Sequence, residues 1–266
     1  MSTPSSSSAK GRFKTIARSE VGLVRDGNED SALISPVLLA VADGMGGHAG
    51  GEVASRIAIN TLKQLSAVLD DAALDSESRE DLLLNISFSI DHELSEESNA
   101  NHELHGMGTT LTAIHINGEN IELLHIGDSR CYRWRDKKLT QLSHDHTVMQ
   151  ELLDQGRLTP EEVFDHPQRS LLTQVLMGDS GIDPILSVYE IKDGDKFLLC
   201  SDGLSSVLSD YEIASIIKSA SDEQVVDSLI EGVLKKGAPD NITILWSEVV
   251  PEKDADTTTM LLGAAL

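Results

Sequence analysis

The chain has 266 residues and a formal net charge of −23, with 40% hydrophobic and only 3% aromatic side chains. This composition predicts a soluble globular protein whose core consists mainly of Leu, Ile, Val and Ala, and the length allows one large domain or two small ones. The excess of carboxylates argues against nucleic acid or an anionic membrane as a partner, because each phosphate contact needs a Lys or Arg.

The first part of the chain predicts an arm, two strands and two long helices. Residues 1–14 have no apolar run, so we expect a disordered arm rather than a signal peptide. Strands are predicted over residues 15–24 and 37–42. Apolar side chains at helical spacing then predict one helix that begins at Glu52 and another over about residues 80–97.

The rest of the chain predicts more strands, interrupted by shorter helices. The early strand-like runs are separated by short polar turns, which is the spacing of antiparallel hairpins. These elements are, in order, four strands within residues 108–142, helices at 148–153 and 159–163, strands at 185–191 and 197–200, helices near 211–219 and 223–235, and a strand at 242–249.

The C-terminus and the cysteines give weaker signals. Residues 251–266 are expected to form a tail or linker, and the apolar end of this segment is far below the roughly 20 residues that span a bilayer. We therefore expect membrane anchoring only if the natural chain continues beyond Leu266. Cys131 and Cys200 stand in strand-like surroundings, which predicts reduced structural thiols in a cytoplasmic protein.

Four Asp-Gly pairs fall into two classes. Asp26-Gly27 and Asp193-Gly194 lie in polar surroundings and are interpreted as turns. Asp43-Gly44 and Asp202-Gly203 each follow a continuous apolar run that is typical of a strand buried on both faces. Carboxylate and carbonyl oxygens are the ligands that Mg²⁺ and Mn²⁺ prefer. From the residues alone, a metal ligand and an ordinary turn are about equally supported for Asp43 and for Asp202.

Further carboxylates lie at strand ends. Asp128 follows an apolar strand, and Asp240 comes directly before the last strand, so its side chain can point toward the same sheet edge as Asp43. Glu29 and Asp30 lie in a charged loop, which by itself is more typical of solvated residues.

Histidines occur singly or in pairs in polar segments. His102 and His105 have no further ligand nearby in the sequence, and we expect them to be exposed. His144 and His146 are expected at the surface unless the fold brings them inward. His48 lies in a glycine-rich loop that would let the backbone approach a ligand closely.

Seven motifs in sequence order resemble those of a known family. They span about residues 16–250, and their order and spacing carry the resemblance, since each motif alone is weak. The chain resembles the metal-dependent type 2C (PPM) serine/threonine protein phosphatases, most closely the bacterial, particularly actinobacterial, members that oppose transmembrane Ser/Thr kinases. The motifs are GLVRDGNED, AVADGMGGHAGGE, GMGTTLTA, HIGDSR, DHTVMQELLDQGRLTPEEVFDHPQRS, LLCSDGL and GAPDNIT.

The resemblance implies an α+β fold and a catalytic domain over residues 15–250. This fold is a four-layer α-β-β-α sandwich with two antiparallel sheets and a metal-containing cleft at one end. A small flap over about residues 143–170 would border the cleft. The chain is expected to act as a monomer.

The resemblance also implies a set of metal ligands for two Mn²⁺ or Mg²⁺ ions, with a third, weaker ion in many bacterial members. Asp43, Asp202 and Asp240 would bind the first ion, and Asp43 would bridge to the second. The implied ligands beyond these are the Gly44 carbonyl for the second ion, Glu29 and Asp30 through metal-bound waters, and Asp128, Asp202 and Ser170 for the third ion.

The implied activity is hydrolysis of phosphoserine and phosphothreonine in proteins by a hydroxide bridging two ions. Arg25 matches the phosphate-binding arginine of the family. Met45 stands where eukaryotic members carry a histidine, so His48 could protonate the leaving group or serve as a loop residue. Phosphorylated Ser/Thr kinases and their substrates would be the partners. The alternatives are a catalytically silent module that binds phosphoproteins and a phosphatase acting on a small phosphorylated regulator.

Overall fold

The computed structural model describes most of the chain. The described residues are 11–47, 50–69 (without the side chains of 66 and 67), 71, 74–159, 162, 171–178, 181–192, 194–255 and 257–266. Twelve strands and six α-helices lie in these ranges. They are β1 (Gly11–Glu20), β2 (Asp30–Ile34), β3 (Leu38–Met45), α1 (Gly50–Leu69), α2 (Ser76–Ala100), β4 (Gly108–Thr109), β5 (Leu111–Asn117), β6 (Asn120–Ile126), β7 (Arg130–Arg135), β8 (Lys138–Gln141), α3 (Val148–Asp154), β9 (Ile185–Glu190), β10 (Lys196–Cys200), α4 (Asp202–Ser205), α5 (Asp210–Ser219), α6 (Val225–Lys235), β11 (Ile242–Pro251) and β12 (Met260–Gly263).

The strands form two antiparallel sheets. One has five strands in the order β1-β11-β10-β7-β8, and the other has seven, in the order β12-β2-β3-β5-β6-β9 with β4 paired to β3. A core of apolar side chains from both sheets lies between them, including Phe13, Leu39 and Leu245. The sheets therefore pack face to face.

Helices cover the outer face of each sheet. The outer face of the seven-stranded sheet packs on α1 and α2, and that of the five-stranded sheet packs on α5 and α6. The order of layers is α-β-β-α, and the predicted fold is confirmed. Helix α2 has an N-cap at Asp75, whose side chain accepts a hydrogen bond from the Ser78 N–H, in agreement with the usual preference for Asp at this position.

The two runs without alternation are strands buried on both faces. In β3, Leu38 and Ala40 face the helices, whereas Leu39 and Val41 face the other sheet. In β10, successive residues likewise divide between the helix-facing core and the inter-sheet core. Because both faces need apolar side chains, the sequence of such strands is continuously apolar. Their Asp-Gly ends are consequently held by rigid elements.

The structure corrects both ends of the predicted domain. Strand β1 begins at Gly11, within the predicted arm of residues 1–14, of which residues 1–10 lie outside the described ranges. The predicted tail or linker over 251–266 is wrong for its last part, because Met260–Gly263 forms β12 and pairs with β2. Leu262 then packs on the inter-sheet core. A four-residue edge strand is too short to be recognised from a local pattern.

The predicted flap is only partly described. Helix α3 lies near the predicted 148–153. Residues 160, 161 and 163–170, which include most of the shorter helix predicted over 159–163 and also Ser170, lie outside the described ranges. No α-helix in the described part of the chain is both long and apolar enough to cross a bilayer.

Candidate metal-binding cleft

One cleft collects the predicted carboxylates from both sheets. It has a volume of about 320 Å³. Asp43 lies near the end of β3, Asp128 follows β6, Asp202 follows β10 and Asp240 precedes β11. Strand ends from both sheets thus meet at this edge of the sandwich, as the sequence predicted. The cleft is lined by Arg25, Glu29, Asp43, Gly44, Met45, Gly46, Thr110, Asp128, Leu172, Asp202 and Asp240.

Asp43 is held by the backbone and side chain of Thr110. The Asp43 N–H donates to the Thr110 hydroxyl at 2.9 Å, and the Asp43 carbonyl accepts from the Thr110 N–H at 2.9 Å. The Thr109 hydroxyl donates to the same carbonyl at 3.0 Å. Burial raises the pKa of the Asp43 carboxyl well above its usual range, and the nearby Asp30 and Asp202 raise it further.

Asp30 lies behind Asp43 rather than in the wall of the cleft. The two residues face each other across the β2-β3 pair, and Asp30 is 1% exposed. The Ser201 hydroxyl donates to Asp30 Oδ2 at 2.7 Å, whereas Oδ1 is buried and has no hydrogen-bond partner in the described structure. Burial raises the pKa of Asp30 to about 7.

Asp128 lies in the turn between β6 and β7. Burial raises its pKa to about 8, and the charges of Asp202 and Asp145 act in the same direction. The next residue, Ser129, has its hydroxyl 2.8 Å from that of Thr110. Thr110 therefore connects the backbone of Asp43 with the turn that carries Asp128.

Arg25 and Asp240 meet on the other side of the cleft. Arg25 Nη2 donates to Asp240 Oδ2 at 2.8 Å, and this bond raises the pKa of the guanidinium. About a third of the Asp240 side chain and half of the Arg25 side chain are exposed. The predicted phosphate-binding residue and a predicted metal ligand are thus an ion pair at the mouth of the cleft.

Asn241 organises the loop that carries Arg25 and Glu29. Its side-chain oxygen accepts from the Glu29 N–H at 2.8 Å, and its amide nitrogen donates to the carbonyls of Val21 and Gly27. Burial raises the pKa of Glu29, although Arg25 opposes the shift. Sequence reasoning missed the roles of Asn241 and Thr110, because Glu29 is 212 positions from Asn241 and Asp43 is 67 positions from Thr110. Their presence in the motifs GAPDNIT and GMGTTLTA was the only signal.

The glycines of the two predicted site pairs are required by close packing. A Cβ atom on Gly44 would lie 2.0 Å from the Gly51 carbonyl oxygen, and one on Gly203 would lie 1.8 Å from the Asn241 carbonyl oxygen. By contrast, a Cβ on Gly27 would meet nothing within 4 Å. The structure therefore agrees with the distinction between Asp26-Gly27, interpreted as a turn, and the two Asp-Gly pairs that follow buried strands.

The carboxylates surround an open cleft. Within the described ranges, no three acidic, His or Cys side chains lie close enough together to enclose an ion as they are placed. Two predicted site residues, His48 and Ser170, lie outside those ranges. His102 and His105 are exposed, as expected, and contact each other. His144 is exposed too, whereas the fold brings His146 inward to 6% exposure.

Comparison with known proteins identifies similar sequences and structures. The family described as protein phosphatase 2C matches residues 29–236. The serine/threonine protein phosphatase PstP of Mycobacterium tuberculosis is 43% identical over 255 residues, covering 95% of this chain and 48% of PstP. The chain thus spans about half the length of that relative. The serine/threonine phosphatase stp of Listeria monocytogenes is 32% identical over 87% of this chain and 94% of its own length.

Solved structures agree with the sequence comparison. The crystal structure of M. tuberculosis PstP/Ppp has a TM-score of 0.81 and 43% identity, covering 89% of this chain and 98% of the other. A PstP catalytic domain in complex with two manganese ions has a TM-score of 0.81 and 41% identity, covering 90% and 99%. A phosphatase from Mycobacterium smegmatis in complex with cacodylate has a TM-score of 0.75 and 32% identity, covering 89% and 98%.

Proposed function

Because the chain belongs to the protein phosphatase 2C family, we propose that it hydrolyses phosphoserine and phosphothreonine in proteins in a reaction that depends on Mn²⁺ or Mg²⁺. The observation that carries this proposal is the convergence on one cleft of four aspartates and Arg25. Carboxylates are suitable ligands for hard dications, and the planar guanidinium is suitable for phosphate oxygens. One site thus holds groups for both components of the reaction.

The carboxylates fit divalent cations. Burial and mutual repulsion raise the pKa values of Asp30, Asp43 and Asp128, so ionisation of these three carboxyls is unfavourable unless positive charge is added nearby. Mn²⁺ and Mg²⁺ require oxygen ligands, and they provide positive charge. The buried Asp30 Oδ1, which has no partner in the described residues, is a ready acceptor for a water molecule held by an ion.

The family pattern implies which residues would bind each ion. Asp43, Asp202 and Asp240 would hold one ion, and Asp43 with the Gly44 carbonyl would hold a second. Glu29 and Asp30 would act through water, and Asp128 with Asp202 would hold a weaker third ion. When bound, a pair of divalent cations supplies Lewis acidity and lowers the pKa of a water molecule that can attack phosphorus.

Arg25 would bind and orient the phosphate. Its bond to Asp240 uses one N–H donor, and a guanidinium has five, so the remaining donors can bind two phosphate oxygens. Asp240 thereby fixes the arginine at the mouth of the cleft, which lowers the entropy lost when a substrate binds. Phosphorylated Ser/Thr kinases and their protein substrates are the partners that we propose.

A phosphopeptide assay tests the reaction. We expect the purified chain to release phosphate from a phosphothreonine peptide in Mn²⁺, to lose this activity in excess EDTA, and to act poorly on the matching phosphotyrosine peptide. Phosphate release that persists in EDTA would contradict the proposed chemistry. Binding of the peptide without hydrolysis would favour the silent phosphoprotein-binding module instead.

A further inference from the structure

Two buried histidines flank the turn that carries Asp128. His125 is 2% exposed and His146 is 6% exposed, and their ring centroids are 5.0 Å apart. Neither lines the cleft, and neither has a role in the proposed reaction. Buried imidazoles are usually held by hydrogen bonds. The hydrogen-bond partners of these two rings therefore show which part of the chain the rings hold in place.

His146 holds the residue before Asp128. The Gly127 N–H donates to His146 Nδ1 at 3.1 Å, and the His146 N–H donates to the Gly127 carbonyl at 2.8 Å. Gly127 has a φ of +105°, and a Cβ at this position would lie 2.5 Å from Thr110 Cγ2. The turn is therefore fixed by two bonds to His146 and by close packing on Thr110.

His125 holds the residue after Asp128. Its Nδ1 lies 2.9 Å from the Thr112 hydroxyl, and this hydroxyl donates to the Ser129 carbonyl at 2.7 Å. Because a hydroxyl has one proton, Thr112 must accept its other bond from His125 Nδ1–H. Each chain neighbour of Asp128 is thus connected to one of the two imidazoles.

The hydrogen bonds also assign the tautomers and argue against a metal ion between the rings. His146 accepts at Nδ1, so its proton is on Nε2, whereas His125 donates from Nδ1 and has its lone pair on Nε2. Coordination through the two buried Nε2 atoms would require the opposite tautomer of His146 and would break its bond to Gly127. Burial lowers the pKa of both rings, that of His125 to about 3, which favours their neutral forms.

The same support extends to another residue of the cleft. The His146 carbonyl accepts from the Thr173 N–H at 2.9 Å, and Thr147 forms a β-bridge with Leu172, which lines the cleft as Asp128 does. His146, near the start of the predicted flap, therefore connects the Asp128 turn with the chain that follows the flap.

We propose that His125 and His146 are positioning residues for Asp128. They hold residues 127–129 so that the Asp128 carboxylate stays in the cleft, and in this way they set the affinity for the cation that Asp128 would bind. The proposal rests on the proposed function only in taking Asp128 as a metal ligand. Groups that orient a metal ligand from behind are usually worth 10- to 100-fold in metal affinity.

Calorimetric titration of the metal-free chain with Mn²⁺ tests the proposal directly. His146→Leu keeps the volume and removes the acceptor, and it should weaken the site that includes Asp128 by about 10-fold. His146→Asn places an amide oxygen near the position of Nδ1 and should restore most of the affinity. In the background of Asp128→Asn, His146→Leu should have no additional effect on Mn²⁺ binding.

Three results would overturn the proposal: equal Mn²⁺ binding by His146→Leu and the unchanged chain, failure of Asn to improve on Leu, or an undiminished effect in the Asp128→Asn background. If His146→Leu does not fold, the same Mn²⁺ titration is made with Thr112→Val and its control Thr112→Ser. Only Thr112→Val removes the hydroxyl that connects His125 with Ser129, so only this variant should weaken Mn²⁺ binding. Binding differences as expected, in a chain that hydrolyses no phosphopeptide, would refute the proposed function and leave the positioning role intact.

Discussion

The two sheets bring carboxylates to the cleft in different ways. On the side of the seven-stranded sheet, Asp30, Asp43 and Asp128 are crowded together, and burial is the main cause of their raised pKa values. On the side of the five-stranded sheet, Asp240 is paired with Arg25 and partly exposed. The comparison indicates that the carboxylates on the side of the seven-stranded sheet need added positive charge. On the side of the five-stranded sheet, Arg25 supplies positive charge and can bind an anion.

Removing one carboxylate from each side should have the largest effect. Asp43→Asn and Asp202→Asn should each lower Mn²⁺-dependent hydrolysis of p-nitrophenyl phosphate on the order of 10³-fold, comparable with the loss of one preorganised electrostatic group. Glu231→Gln is the matched control, since Glu231 is an exposed carboxylate on α6, and it should retain full activity.

Asp43→Asn should also change the stability of the metal-free chain. Asp43→Asn removes a charge that burial and neighbouring carboxylates disfavour, so the free energy of unfolding in EDTA at pH 8 should increase. Lower metal-free stability of Asp43→Asn would mean that the carboxylates on that side are already neutralised within the protein.

Filling the space beside the site glycines should have the next largest effect. Gly44→Ala places a methyl group against the Gly51 carbonyl, and Gly203→Ala places one against the Asn241 carbonyl, so each should lower the free energy of unfolding by about 1–3 kcal/mol or more. Gly27→Ala, with open space around it, should change it by no more than about 0.5 kcal/mol. Urea denaturation in EDTA measures the free energy of unfolding of all three variants. Equal values for the three would refute the close packing at the two strand ends.

The metal-free chain should also show a pH-dependent stability that Mn²⁺ largely removes. Asp30 and Asp128 have pKa values of about 7 and 8 in the folded chain, above the usual 3.9 of an unfolded Asp. The folded state therefore binds more protons, and without metal the free energy of unfolding should fall as pH rises from 5 to 8. Each unit by which a folded pKa exceeds the unfolded pKa contributes about 1.4 kcal/mol to this decrease.

Mn²⁺ should abolish most of this decrease, because an ion that binds only the folded state stabilises it. Denaturation curves at pH 5 and pH 8, with Mn²⁺ and with EDTA, are the measurement. Metal-free stability that rises over this range would contradict the proposed crowding of buried carboxylates on the seven-stranded side.

The amino-acid sequence alone determined much of the architecture and the main site residues. Continuous apolar runs predicted β3 and β10 as strands buried on both faces, because a strand between two apolar layers has no position for a polar residue. The Asp-Gly pairs that follow them, together with the family motifs, predicted the carboxylates that the structure brings to one cleft. These signals are local, so they can be recognised without knowing how the chain folds.

Only the tertiary structure decided which distant residues support those carboxylates. Thr110 bonds to Asp43 across 67 positions, His146 reaches back to Gly127, and Met260–Gly263 joins the sheet beside Asp30. Each of these contacts depends on strand pairing and burial, which a local pattern does not encode. The chemistry at the strand ends could therefore be read from neighbouring residues, whereas its support depends on the packing of the whole sandwich.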